Sequence, residues 1–196
     1  METVANPPAA TGRQDLPGDF AIWIFIFAEL LVFGIFFLAY AFARAGNVEL
    51  FNEYQQYLDR ETGAINTLLL ITSSFFVVRA VNAIKRNAVA SCVRWLGFAV
   101  LSGAVFAGLK LTEFAARHAD GITLSTNTFY MFYLSLTFFH FMHVLMGMVI
   151  LTAVAVKAHR GDYSAANHTG VETGASYWHM VDLVWIVLFP LVYVMH

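Results

Sequence analysis

The chain has 196 residues, of which 59% are hydrophobic, 16% aromatic and only 12% charged, and its formal net charge is −2. This balance is typical of a polytopic membrane protein and excludes an ordinary soluble domain. It also argues against a partner made of nucleic acid, because no basic patch is present to neutralise phosphates. The single cysteine, Cys92, excludes both a disulfide framework and a metal centre built from cysteines.

Five apolar runs are long enough to cross a bilayer, which takes about 20 helical residues. They predict an all-α bundle of five transmembrane helices, with spans near Phe20–Ala43, Ile65–Ile84, Val93–Ala116, Thr128–Val156 and Ser176–His196. Residues 1–19 lack the basic start and short apolar core of a cleaved signal peptide, so we expect a short, flexible, retained tail. Residues 20–196 are then a single transmembrane domain.

Lysine and arginine are distributed unequally among the connections between these runs. Lys85 and Arg86 follow the second run, and Lys157 and Arg160 follow the fourth, whereas the connection after the first run is mainly acidic. Basic residues concentrate on the cytoplasmic side of membrane proteins. The pattern therefore predicts a cytoplasmic N-terminus and a periplasmic C-terminus in a bacterial inner (plasma) membrane.

Two shorter patterns concern packing. After the first run, helical spacing predicts either a short interfacial helix or an amphipathic loop, from Leu50, Phe51, Tyr54 and Leu58. In the third run, small residues recur every four positions at Ala99, Gly103 and Ala107. Such a stripe lets another helix approach closely.

Glu29 stands about ten residues into the first run, near mid-depth, with no cation within one helical turn. An ionised group in hydrocarbon costs roughly 2.5–3.5 kcal/mol on insertion scales, so it seldom persists without a partner or a task. Two interpretations remain open at this point. Glu29 is either a proton-handling or headgroup-sensing carboxyl, or a carboxyl that is hydrogen-bonded to another helix.

Other ionisable residues also lie inside the apolar runs. Lys110 and Glu113 are three positions apart, which predicts a structural ion pair on one helix face near the exterior end. His140 and His143 share a face of the fourth run, as His179 and Asp182 do on the fifth.

These histidines allow two interpretations. One is a metal site formed by His140 or His143 with His179 and completed by Glu113. The other is a hydrogen-bonded network in which aspartate fixes an imidazole tautomer. We favour the network and predict no metal on this chain. The remaining histidines, His118, His159, His168 and His196, are expected in loops or at the terminus.

Several motifs carry a family resemblance. The segment GASYWHMVDLVW, from Gly174 to Trp185, closely resembles the closing helix of haem–copper oxidase subunit III. Similar matches, in chain order, are IFAEL around Glu29, Asn66-Thr67, LTEF around Glu113, FHFMHV with His140 and His143, and the polar approach Asn167-His168 with Glu172. The resemblance extends from Phe20 to His196, nearly the whole chain.

The resemblance implies a non-catalytic subunit in its five-helix form. The haems and the copper or iron would belong to the catalytic subunit, and this chain would bind no cofactor of its own. It would bind phospholipid and support proton uptake and sustained turnover. Glu29 falls where the family has its buried, carbodiimide-reactive carboxylate and becomes the leading functional carboxyl, with Lys110, His168 and Glu172 of second rank.

The chain departs from the family at two of these motifs. Phe141 stands where a glycine often separates the two histidines, and Lys110 replaces a neutral polar residue. The short tail and compact loops favour the NorE-type accessory proteins of nitric oxide reductase, so the expected partner is either that enzyme or a haem–copper oxidase. An independent proton-coupled transporter and a small haem-binding electron carrier are the rival classes.

Overall fold

The computed structural model describes residues 19–195, and this part of the chain is helical apart from short connections. The helices are α1 (Phe20–Ala45), α2 (Val48–Gln55), α3 (Arg60–Lys85), α4 (Val89–Ala119), α5 (Thr128–Arg160) and α6 (Thr169–Phe189), and Pro190–Val194 add a π-helical turn. All but α2 are long and apolar enough to cross a membrane. The prediction of an all-α protein with five transmembrane helices is confirmed. The predicted flexible tail lies outside the described residues, except for Asp19, and so does His196.

The helices are longer than the apolar runs. α3 begins at Arg60 because the carboxylate of Asp59 accepts hydrogen bonds from the backbone N–H groups of Glu61 and Thr62, 3.0 and 3.1 Å away. α4 and α5 likewise continue through polar turns beyond the apolar runs, so His118 and His159 lie in helical ends and not in loops as predicted.

The last transmembrane segment also differs from the prediction of one span from Ser176 to His196. It starts earlier, at Thr169, and its regular α-helix stops at Phe189. Pro190 has no N–H to donate to the preceding turn, and the chain closes with a wider π-helical turn instead.

Successive transmembrane helices run in opposite directions, which gives the bundle two ends. At the end that carries Lys85, the backbone N–H of Asp19 before α1 donates to Thr173 in α6, at 3.1 Å. At the opposite end, Arg117 donates to the carbonyl of Tyr57 at 2.7 Å. We call these the Lys85 end and the Arg117 end.

Helices α3, α4, α5 and α6 pack in a ring, with α3 on α4, α4 on α5, α5 on α6 and α6 back on α3. Trp178 of α6 is fully buried within this ring. A Cβ atom added to Gly103 of α4 or Gly147 of α5 would come within 2.8 or 2.7 Å of its indole. The small-residue stripe of α4 therefore allows the close approach predicted from sequence, with Ala99 and Ala107 also buried.

Helix α1 lies outside the ring, against α5 and α6. Its buried residues, Ile26, Phe33 and Tyr40, recur every seven positions and form one narrow stripe. The predicted short helix after α1 is present as α2, whose Phe51 is fully buried. The ring of Phe51 meets those of Tyr40 and Phe129 edge-on, with centroids 5.3 and 5.5 Å away.

Candidate functional site

The carboxylate of Glu29 on α1 pairs with His143 on α5. Glu29 Oε2 lies 3.0 Å from His143 Nε2, and His143 Nδ1 lies 2.8 Å from the carbonyl oxygen of Phe139. A carbonyl oxygen only accepts, so Nδ1 carries a proton. Nε2 then accepts from a protonated Glu29, or it donates as part of an imidazolium to the carboxylate. In both states the pair holds one shared proton.

This pair is only partly enclosed. The side chains of Glu29 and His143 keep 20% and 12% of their surface exposed. The phenyl rings of Phe33 and Phe139 meet the imidazole edge-on, at centroid distances of 5.2 and 4.7 Å. A cavity of about 240 Å³ opens beside the pair, between α1, α5 and α6, and Tyr177 lines it. The shared proton therefore lies near the outer surface of the bundle.

A second cluster surrounds Lys110 of α4, which is fully buried. Its Nζ donates to Glu113 Oε2 at 2.8 Å and to the hydroxyl of Tyr193 at 2.6 Å. Glu113 Oε1 accepts from the hydroxyls of Tyr133 and Tyr193, at 2.5 and 2.8 Å. The rings of Trp185 and Tyr193 each lie 5.0 Å from the ammonium. The predicted pairing of Lys110 with Glu113 is confirmed, and we name the four polar residues the Lys110 cluster.

The hydrogen bonds of the Lys110 cluster form a closed cycle. Lys110 donates to Glu113 and to Tyr193, and Tyr193 donates back to Glu113. Charge-assisted hydrogen bonds of this kind offset the cost of burying both charges. The cycle ties α4 to the C-terminal π-helical turn, which Gln55 also holds through the carbonyl of Val192 at 2.7 Å.

His179 and Asp182 of α6 lie in a third place. His179 Nδ1 is 2.6 Å from the hydroxyl of Ser74 on α3. Asp182 is buried, and its Oδ1 has no hydrogen-bond partner within residues 19–195. Ser74 is thus the direct partner of the His179 ring, and it also interacts with the side chain of Asp182, so it links the two residues.

His140 lies beside two of these places, because its ring shares Trp185 with Lys110 and Phe33 with His143. It is fully buried, and neither ring nitrogen has a hydrogen-bond partner in the described part of the chain. Its ring lies against Trp185 at a centroid distance of 5.1 Å and meets Phe106 edge-on at 6.0 Å. His140 thus serves here as an aromatic packing residue.

Two of the second-rank residues, Glu172 in α6 and His168 just before it, lie at the Lys85 end. Glu172 Oε1 is 2.7 Å from Lys85 Nζ and 3.5 Å from His168 Nε2. The carboxylate therefore joins the start of α6 to the last turn of α3. His168 is the residue immediately before α6 and lies in the connection after α5, in a loop as predicted.

The structure does not bring the candidate metal ligands together. Glu113 pairs with Lys110, His143 with Glu29 and His179 with Ser74. Among residues 19–195, no three histidine, cysteine, aspartate or glutamate side chains are grouped to hold a metal ion.

Sequence reasoning missed four residues that complete these clusters: Ser74, Lys85, Tyr133 and Tyr193. Serine and tyrosine are common in apolar helices and give no signal of their own. The sequence assigns Lys85 a role in orientation only, because its contact with Glu172 depends on how α3 packs against α6.

The fold and its polar clusters define a class: a multi-pass helical membrane protein whose ionisable residues pair with one another between helices. Comparison with known proteins defines the family. The family model described as cytochrome c oxidase subunit III matches residues 18–196. The chain therefore belongs to the subunit III family of haem–copper oxidases.

Individual relatives agree with the family model. The cytochrome c oxidase subunit 3 of Thermostichus vulcanus is 36% identical over 88% of this chain and 84% of its own length. That of Synechocystis sp. is 34% identical over 100% of this chain and 84% of its own length. The quinol oxidase subunit 3 of Bacillus subtilis is 30% identical over 94% of this chain and 89% of its own length. The chain is a cytochrome oxidase subunit III-like membrane subunit.

Proposed function

We propose that this chain is a non-catalytic subunit of a respiratory haem–copper oxidase and packs beside the catalytic subunit, which holds the haems and copper. The observation that carries the proposal is the Glu29–His143 pair, which lies in a transmembrane region yet reaches the outer surface of the bundle. A partly exposed polar pair in a transmembrane region favours contact with another protein, and membership of the subunit III family suggests the catalytic subunit as that protein.

The exposure of this pair has an energetic consequence. A polar pair facing hydrocarbon loses part of the free energy that solvation or further hydrogen bonds would provide. Contact with another protein surface over the cavity beside Tyr177 would remove that loss. The catalytic subunit is the neighbour that we propose for this face, which consists of α1 and the adjoining side of α5.

The shared proton gives the pair a role in the complex. The pair places the proton of its hydrogen bond at the surface of the bundle, where a neighbouring subunit has access to it. We propose that it supports proton uptake by the catalytic subunit during electron transport, and that this support appears as durable turnover.

Phospholipid binding is part of the same proposal. Apart from its narrow buried stripe, α1 presents large apolar side chains outward, among them Phe27, Leu31 and Ile35. These side chains provide a long apolar wall for acyl chains. Basic residues such as Lys85 and Arg86 favour placing the Lys85 end on the cytoplasmic side of the bacterial inner membrane, where they would meet anionic headgroups.

Affinity purification of the chain from its own membranes in mild detergent tests the partner. We expect mass spectrometry to identify haem–copper oxidase subunits, which is what the names of the relatives favour, together with retained phospholipid. Recovery of nitric oxide reductase subunits would instead support the NorE-type accessory role. A chain that purifies alone would contradict the proposal and favour an independent proton-coupled transporter.

Replacement of the carboxylate tests the role of the pair. We expect Glu29→Gln to assemble with the complex but to shorten the time over which turnover is sustained. Glu53→Gln is the matched control, because Glu53 is an exposed residue of α2 outside the transmembrane helices. Equal durability of the two variants and the unmodified complex would refute a proton-handling role for Glu29.

A further inference from the structure

A groove enters the bundle between α3 and α6 from the Lys85 end. Its volume is about 180 Å³, enough for several water molecules. The side chains that line it include five polar ones, namely Asn82, Lys85, Glu172, Ser176 and His179. Polar residues from both helices thus face one narrow space, although each helix belongs to the transmembrane part of the chain.

The inner end of the groove reaches the middle of the membrane. Ser74 and Lys85 are 11 positions apart on α3. At 1.5 Å per residue, Ser74 lies about 16 Å from the helix end, roughly half the 30 Å thickness of a hydrocarbon core. His179 lines the groove and is held to Ser74 at 2.6 Å, so its imidazole lies at the same depth.

A buried carboxylate lies just beyond the groove. Asp182 follows His179 by one helical turn, is 9% exposed, and has no partner for Oδ1 within the described residues. Buried carboxylate oxygens in proteins are satisfied by donors, and water is the donor that a narrow polar groove admits. One turn further, the indole N–H of Trp185 donates to Thr67 at 2.9 Å and joins α6 to α3.

We propose that this groove is an aqueous crevice that carries water and the hydrated proton from the Lys85 end to His179 and Asp182, and that the bundle is closed beyond them. Closure comes from the Trp185–Thr67 contact and from the Lys110 cluster, which joins α4, α5 and the C-terminal π-helical turn on the Arg117 side of His179. The Lys85–Glu172 pair, at 2.7 Å, stands at the mouth. His179 would then exchange protons with one side of the membrane only.

The crevice is distinct from the Glu29–His143 pair and goes beyond the proposed accessory role. The residues that line the groove belong to α3 and α6, whereas the accessory role was argued from the Glu29–His143 pair between α1 and α5. If the catalytic subunit does not co-purify, the crevice is not refuted. If the groove excludes water, the accessory role is not refuted.

Cysteine accessibility in membrane vesicles tests the crevice. The full-length chain carries Cys92→Ala, which removes the buried native thiol, and then one new cysteine at Ser176 or His179. The probe is a positively charged, membrane-impermeant methanethiosulfonate. It reacts with the thiolate, which forms in water and not in hydrocarbon. Phe75→Cys and Leu183→Cys are matched controls, because these exposed side chains lie at similar depth on the same two helices but do not line the groove.

Sidedness is measured in vesicles of both orientations. Ala88→Cys marks the Lys85 end and Ser125→Cys marks the Arg117 end, since both are exposed residues of the connecting loops. We expect the Ser176 and His179 variants to react only from the side that labels Ala88→Cys. Their rates should exceed those of the Phe75 and Leu183 variants by about tenfold or more, because a charged reagent is excluded from hydrocarbon.

Two results would overturn the proposal. Groove and control cysteines that react equally slowly would show a groove filled by lipid, and labelling of His179→Cys from the Arg117 end would show that the bundle is not closed there. If His179→Cys fails to insert, Ser176→Cys carries the test, because its small side chain is replaced by one of nearly equal size.

Discussion

Two pairs of ionisable residues inside the bundle, Glu29–His143 and Lys110–Glu113, lie in very different settings. The Glu29–His143 pair joins α1 to α5 by one contact of 3.0 Å and remains partly exposed. The Lys110–Glu113 pair lies on one helix, is almost completely enclosed, and is extended by two tyrosine hydroxyls. The first makes a single contact at the surface, whereas the charged atoms of the second have several partners inside the bundle.

This difference shows how packing assigns roles to similar side chains. Where every donor and acceptor is satisfied internally, a change of protonation breaks the cluster, so the group can serve only stability. Where one contact is made at the surface, the proton can move or exchange at small structural cost. The location of α1 outside the four-helix ring is therefore what makes Glu29, and not Glu113, the candidate for function.

The largest expected effect comes from breaking the enclosed pair. Glu113→Ala leaves the Lys110 ammonium buried with Tyr193 as its remaining hydrogen-bond partner. Removing one member of a buried pair costs about 3–5 kcal/mol, because the other charge stays desolvated. We expect a loss of this size in the free energy of unfolding in detergent, measured by thermal or denaturant unfolding.

A double variant separates the lost pair from lost packing. Lys110→Met with Glu113→Leu removes both charges and keeps much of the volume, so it should recover most of the stability that Glu113→Ala loses. If the double variant is as unstable as Glu113→Ala, the lost stability comes from packing and not from leaving the Lys110 ammonium unpaired.

The sequence predicted the pair on one helix, whereas a hydrogen bond from Glu29 to another helix was one of two interpretations and its partner, His143, was not identified. Lys110 and Glu113 are three positions apart, so helix geometry alone brings them together. Glu29 and His143 are 114 positions apart, and their contact depends on the depth and rotation of two helices. Hydropathy gives the existence of a span and leaves its rotation undetermined.

The ends of the helices illustrate the same limit. Hydropathy located the five spans but missed the polar first turns at Arg60 and Thr169, because those turns extend beyond the apolar runs. The partner of His179 was missed for another reason. Ser74 is one of several small hydroxyl residues on α3, and only the pairing of α3 with α6 selects it.

The packing of α5 against α6, one turn from the Glu29–His143 pair, gives the second-largest effect. Gly147 lies one turn after His143, and its missing side chain makes room for Trp178. A Cβ at Gly147 would lie 2.7 Å from the indole, so Gly147→Ala forces a shift of α5 or α6. Overpacking of this kind costs about 1–3 kcal/mol, which we expect to appear as a lower melting temperature.

Glycines elsewhere on the neighbouring helix supply the control. Gly97 and Gly108 of α4 have nothing within 4 Å of an added Cβ. Alanine at either position should leave the melting temperature unchanged or raise it slightly, because alanine favours the helix. If Gly147→Ala behaves like these controls, the contact with Trp178 is looser than the distances indicate.

A smaller effect is expected from the exposed pair. In Glu29→Gln the amide N–H₂ can still donate to His143 Nε2, while His143 Nδ1 keeps the carbonyl of Phe139. Hydrogen bonds between transmembrane helices average only about 0.6 kcal/mol in double-mutant cycles. The unfolding free energy should therefore change by less than about 1 kcal/mol. A loss as large as that of Glu113→Ala would mean that Glu29 is structural, contrary to the comparison drawn above.

The smallest effect concerns a carboxylate in water at the start of α3. The hydroxyl and backbone N–H of Thr62 donate to Asp59 and hold the pKa of that carboxyl below its ordinary value of 3.8. A lowered pKa in the folded state stabilises the fold above pH 3.8, and this contribution is lost as the pH falls through the folded pKa.

Asp59→Asn keeps the helix cap but does not titrate, so its unfolding free energy should fall less steeply in acid than that of the unmodified chain. Because Asp59 is exposed, we expect the difference to be only a few tenths of a kcal/mol near neutral pH. If the unfolding free energies of the two proteins decrease in parallel below pH 3.8, protonation of Asp59 does not change the stability of the bundle.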